Sequence, residues 1–120
     1  MRAAACWLTD ACCVLAFVVI GRSAHHHGES LAGIGSTAWP FLAGLAAGLL
    51  ATRAWRRPAA IVPAGVGAWL GSAAIGMLLR VAAGQGTALP FIGVALAFLG
   101  ASLLGWRALA RMATTSSSPA

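Results

Sequence analysis

Acidic side chains are almost absent from this 120-residue chain: Asp10 and Glu29 are the only two, against eight basic residues. Lysine and tyrosine are missing altogether, so every basic residue is an arginine. With one acid in its apolar stretches, the chain lacks the paired carboxylates of general acid–base catalysis and the second acid of a standard proton pump. No glycine-rich nucleotide loop and no nucleophile–base set occurs, so the sequence predicts neither an enzyme nor a bound cofactor. Charged residues of all kinds make up 8%, where a soluble domain carries about a quarter. A soluble fold built from so few charges could not cover its own apolar surface.

What the chain has instead is apolar length. Hydrophobic residues make up 60% and the mean hydropathy is +0.87. Four apolar stretches, about 4–21, 37–55, 61–80 and 88–110, occupy nearly all of it. Roughly 20 apolar residues, rising about 1.5 Å each, cross a hydrocarbon core of about 30 Å. The expected fold is therefore all-α, a four-helix membrane bundle over 1–113 with a disordered Ser/Thr/Pro tail at 114–120. Asp10 interrupts the first stretch and no small-residue cleavage site follows it, which predicts an uncleaved anchor.

The net charge of +6 and a pI near 11.5 would suit nucleic acid. However, the arginines sit at the ends of apolar stretches rather than along one stripe with interleaved aromatics, so no nucleic acid partner is expected. With four spans, Arg2, Arg53, Arg56, Arg57, Arg107 and Arg111 fall on one side, and only Arg22 and Arg80 on the other. The positive-inside rule then predicts both termini in the cytoplasm. Trp7, Trp55 and Trp106 would lie near the cytoplasmic interface, Trp39 near the outer one, and Trp69 inside as a packing residue. Cys6, Cys12 and Cys13 share the first stretch without metal-ligand spacing and read as small core residues.

Two features predict how the helices meet. Gly44 and Gly48 form GxxxG in the second stretch, and Gly67 and Gly71 in the third. Small residues at this spacing let backbones approach and gain dispersion contacts, within one bundle or in a homo-oligomer through those faces. In addition, Thr37-Ala38-Trp39-Pro40-Phe41-Leu42 echoes Thr87-Ala88-Leu89-Pro90-Phe91-Ile92, and a Trp-Arg pair follows each. The echo suggests two repeated helical hairpins. A Thr N-cap with Pro in the first turn of any helix starting on that side accounts for it equally.

Asp10 is the residue with the sharpest chemical signal. An acid about two turns into a membrane helix must find a partner or take up a proton. Arg53, at similar depth in the second helix, is the expected partner and Arg107 the second choice. Arg22 and Arg80, at the outer ends of the first and third helices, are candidate ligands for a phosphate or carboxylate, with His25 nearby. The alternative is that both snorkel to lipid headgroups. His25-His26-His27-Gly28-Glu29 resembles a metal site but lacks usable spacing, so it reads as an exposed loop and no metal is expected.

Gly21-Arg22-x-x-His25, Thr37-x-x-Pro40-Phe41, Gly76-Met77-x-Leu79-Arg80, Gly84-Gln85-Gly86-Thr87 and Gly105-Trp106-Arg107 resemble the bacterial domain-of-unknown-function 3054 family. The resemblance covers nearly the whole chain apart from the Ser-rich tail. It implies four membrane helices and a bacterial plasma membrane, and it supplies no catalytic residues. Together these readings predict a non-enzymatic membrane protein that binds or helps move a small anionic or lipid-like ligand. The rival expectation is a scaffold or accessory subunit docked on a larger membrane complex. A polar cavity lined by Arg22 and Arg80 distinguishes the first from the second.

Overall fold

The computed structural model describes residues 2–24, 31–86 and 89–117. Four helices run up and down: α1 (Ala3–Ala24), α2 (Leu31–Ala51), α3 (Ile61–Ala82) and α4 (Leu89–Ser117). Each contains a span long and apolar enough to cross a membrane, of 20, 20, 22 and 25 residues respectively. No strand occurs among the described residues. The molecule measures 52 × 27 × 25 Å, enough along its axis for a bilayer with its headgroups, about 40–45 Å. Its outer surface is apolar: Leu8, Leu50, Leu78, Leu89 and Leu109 are each more than 65% exposed. A surface of that kind suits lipid, not water.

The helix boundaries differ from those predicted. Helix α2 begins at Leu31 rather than 37, so Thr37 and Pro40 lie inside it. It stops at Ala51, short of Trp55. There the Thr52 hydroxyl donates back to the carbonyl of Gly48 at 2.9 Å, and Arg53 takes left-handed angles (φ 51°, ψ 49°). A left-handed residue just past a helix end is the common way to stop it, and a 3-10 turn at Ala54–Arg56 follows. Pro90, by contrast, is the second residue of α4, so the echoed Thr/Pro motifs occupy different places in their helices. Helix α4 runs on to Ser117, which makes 114–117 of the expected disordered tail helical; 118–120 lie outside the described residues.

Helix α3 is locally irregular. Val62 is extended (φ −120°, ψ 128°) before a cis Val62–Pro63 bond. Further on, Gly76 N–H reaches back five residues to the Gly71 carbonyl, a single π-type turn. That wider turn packs on α2 at its glycines. A Cβ on Gly44 or Gly48 would run into the carbonyls of Gly71 and Gly67, and one on Gly71 into the carbonyl of Gly44. The two GxxxG faces therefore meet each other within one chain. They are not free to form the homo-oligomer that the sequence suggested through Gly44, Gly48, Gly67 and Gly71. Nearby, Gly76 is open enough to admit the ring of Phe41, which is fully buried.

All four phenylalanines gather in one cluster, with Phe41 between α3 and the rings of α1 and α4. Phe17 of α1 lies 5.4 Å from Phe41, 5.8 Å from Phe91 and 5.7 Å from Phe98, measured between ring centroids. Phe41 meets Phe91 at 6.1 Å, edge to face, a geometry aromatic quadrupoles favour. Trp69 of α3 lies over Gly100 of α4 and donates its indole N–H to the Leu96 carbonyl at 3.0 Å. The packing role expected for this tryptophan is what it performs.

Gly48→Val should lower the unfolding free energy in detergent by about 1–3 kcal/mol, since the facing backbone cannot retreat without parting the helices. Gly93→Ala is the control, because nothing lies within 4 Å of the added carbon. It should leave stability unchanged or raise it by up to about 1 kcal/mol. Equal losses in both would dismiss the α2–α3 glycine contact as a stability determinant.

Candidate functional site

Two polar assemblies sit at opposite ends of the bundle. At the end carrying the chain termini, Asp10 of α1 accepts Nη1 of Arg107 at 2.7 Å on Oδ1 and Nη2 at 2.9 Å on Oδ2. The Trp106 indole N–H donates to the same Oδ1 at 2.8 Å. Arg107 also donates to the carbonyls of Pro58 (3.1 Å) and Leu103 (3.1 Å), and its guanidinium carbon lies 4.4 Å from the centre of the Trp106 ring. Both ion-pair side chains are fully buried. A bidentate fork is the strongest form of such a pair, and the extra carbonyls satisfy donors that burial would otherwise strand. Gly65 leaves the room: a Cβ there would stand 2.9 Å from the arginine stem.

This corrects the expected pairing of Asp10 with Arg53. Arg53 is exposed on the turn after α2, its left-handed backbone having carried it off the helix. Arg107 wins because α4 continues ten residues past it to Ser117, so it lies well inside a helix rather than at its end.

At the distal end, α1, α2, α4 and the loop after α3 enclose a cavity of about 680 Å³. Arg22 and Arg80 both line it, with Ser36, Thr37, Gln85 and an apolar floor that includes Phe17 and Phe91. Arg22 donates from Nη1 to the Thr37 hydroxyl at 2.9 Å. Arg80 donates from Nη1 to Gln85 Oε1 (2.8 Å) and from Nε and Nη2 to the Gly86 carbonyl (3.1 and 2.7 Å). Its guanidinium carbon stands 4.7 Å from the centre of the Phe91 ring, within cation–π range. All these acceptors of Arg80 are neutral. His25, the third candidate, lies outside the described residues, as does the rest of the His25–Glu29 loop.

The sequence reading did not single out Gln85, Thr37 or Pro40 as parts of a site, yet they hold Arg80 and Arg22 in place. Pro40 has no N–H to give the carbonyl four residues earlier, that of Ser36. Gln85 Nε2 takes the freed acceptor at 3.1 Å, while its Oε1 holds Arg80. A proline in the middle of α2 thus anchors, through one amide side chain, a guanidinium on α3. The signal was present as Gly84-Gln85-Gly86, a short turn with one polar side chain between glycines. Gly84 turns with φ at +77°, which glycine adopts without strain.

Comparison with known proteins identifies a family. The family model described as "Protein of unknown function (DUF3054)" covers residues 7–110. No curated protein and no solved structure matches the chain.

Asp10→Ala should cost about 3–5 kcal/mol in denaturant unfolding, because it leaves a buried guanidinium without a counter-charge. Asp10→Ala with Arg107→Leu should cost less than Asp10→Ala alone, and Arg53→Gln should change little, by about 0.5 kcal/mol at most. At the other end, Pro40→Ala restores an N–H that competes with Gln85 for the Ser36 carbonyl. Hydrogen exchange at 83–86 should rise while the melting temperature holds or increases; an unchanged exchange rate there would contradict the Pro40–Gln85 link.

Proposed function

We propose that this chain, which belongs to the DUF3054 family, is a non-enzymatic multi-pass protein of the bacterial plasma membrane that binds an anionic ligand in its distal cavity. The observation that carries the reading is the convergence of Arg22 and Arg80 on one cavity of about 680 Å³. That volume falls within the range of small-molecule sites, about 300–1,000 Å³. Two guanidiniums lining one space are suited to the oxygens of a phosphate or carboxylate. Arg80 is already held by neutral acceptors and an aromatic face, so an anion would add to those contacts without first breaking an ion pair. Little reorganisation is then needed on binding.

The orientation we propose puts the chain termini in the cytoplasm and the cavity outside. Setting aside the buried Arg107, the end with the termini still carries Arg2, Arg53, Arg56, Arg57 and Arg111 against Arg22 and Arg80. Such a bias orients multi-pass proteins during insertion.

A second reading, an accessory subunit of a larger membrane complex, has its own observation. Gly93, Ala97 and Ala101 of α4 are exposed at four-residue spacing, with open space above Gly93. Helices in lipid dock through such small-residue faces.

Purified protein in nanodiscs of zwitterionic lipid should bind inorganic phosphate with an affinity that falls as salt rises. Arg80→Gln should weaken it at least tenfold, as loss of a charge-assisted contact does. Wild-type protein that takes up no anion, together with stoichiometric capture of one membrane partner through α4, would favour the accessory-subunit reading instead.

A further inference from the structure

The distal cavity is much larger than an inorganic anion requires, and its polar and apolar parts are separated. A water molecule takes about 30 Å³ of liquid, so a phosphate of a few water volumes leaves most of the 680 Å³ unfilled. The polar groups Arg22, Thr37, Arg80 and Gln85 gather at the distal end of the bundle, Arg22 bonded to Thr37 and Arg80 to Gln85. The apolar walls are Phe17 and Val18 on α1 and Pro90, Phe91 and Val94 on α4. Five residues separate Arg22 from Phe17, so by helix rise the cavity reaches about 7–8 Å beneath the guanidiniums. Pro90 and Val94 line the cavity and are also exposed, Val94 at 58%. The apolar part therefore opens sideways between α1 and α4, toward whatever covers the apolar outer surface. The floor of the slot is closed where Phe17 of α1 meets Phe91 and Phe98 of α4.

We infer that the ligand of this site is an anionic amphiphile: a phosphate or carboxylate head between Arg22 and Arg80, with one hydrocarbon chain in the slot over Phe17, Phe91 and Val94. The inference rests on the anion-binding reading and adds the chain to it. The hydrophobic gain explains why a cation pair would stand over an aromatic floor. The charged head is met by guanidiniums, and the methylenes leave water for Phe and Val side chains. Burying one methylene is expected to tighten binding about three- to fourfold, until the slot is full. A head of this chemistry belongs equally to an acidic membrane lipid and to a soluble alkyl phosphate.

The test is a series of water-soluble probes, inorganic phosphate and ethyl, butyl and hexyl phosphate, titrated into the protein in zwitterionic nanodiscs. Wild type should bind each longer chain more tightly, by at least tenfold from ethyl to hexyl phosphate. Val94→Trp, at an exposed position and checked for an unchanged melting temperature, should abolish that increment while keeping phosphate binding. Arg80→Lys, which keeps the charge and loses the fork, should weaken the whole series in parallel. Phosphate binding with no dependence on chain length, or a Val94→Trp protein that keeps the full increment, overturns the inference and leaves the anion site standing. Failure of every probe to bind wild type overturns both. Mass spectrometry of lipid extracted with the native protein separates the two sources. An acidic lipid retained by wild type and lost in Arg80→Lys identifies the membrane as the supply; no retained lipid with tight hexyl phosphate binding identifies solution.

Discussion

One carboxylate joins the first helix of this bundle to the last. Asp10 holds both arms of the Arg107 guanidinium, fully out of reach of solvent, and the half-buried indole of Trp106. In a medium without water to take the charges, neither partner is tolerable without the other. This pair fixes where α1 and α4 touch and in what rotation. The distal cavity lies at the other end, where the same two helices meet through Phe17, Phe91 and Phe98 and the first two of those rings line its floor.

The remaining pair of helices is held by a different force. No polar bond ties α2 to α3 at their closest approach; Gly44, Gly48, Gly67 and Gly71 bring the backbones together until carbonyls face the opposing glycines. In lipid, where burying apolar surface gains nothing by itself, such close dispersion contact is the available attraction. The bundle thus has a firm inner rib in α2–α3, onto which the polar distal parts are built. Pro40 on that rib frees the Ser36 carbonyl, Gln85 takes it, and Arg80 is oriented as a result. Positioning by backbone geometry suits a site in which a loose guanidinium would otherwise reach for the nearest headgroup.

Fold and site were not equally legible in the sequence. Apolar runs of membrane length, and arginines that punctuate them, revealed four helices because length and composition are what the bilayer selects. Helix ends were read less well. Thr37 and Pro40 look like the start of a helix, yet α2 begins at Leu31, since a proline in mid-helix is tolerated where another group satisfies the carbonyl it frees. The same kind of error hid the partner of Asp10. Arg53 was preferred for its depth in the second apolar stretch, whereas α2 stops at Ala51 and α4 carries on past Arg107 to Ser117. Arg22 and Arg80 were legible as a pair because the two helices that run away from the N-terminal end both carry arginine in their last turn. The roles of Gln85 and the phenylalanines depend on contacts between helices far apart in sequence, which no local pattern encodes.

The distance along the chain between Asp10 and Arg107 has a consequence for how the protein is made. Ninety-seven residues separate them, and ribosomes add about 5–20 residues each second. For roughly 5–20 s after its acid has emerged, the nascent first segment has no arginine to answer it. Its hydrophobic remainder must outweigh that one unfavourable side chain, worth about 2.5–3.5 kcal/mol on insertion scales at the bilayer centre. Synthesis of α4 therefore completes the pair, and a chain truncated before Arg107 would present quality control with a membrane anchor bearing an orphaned acid.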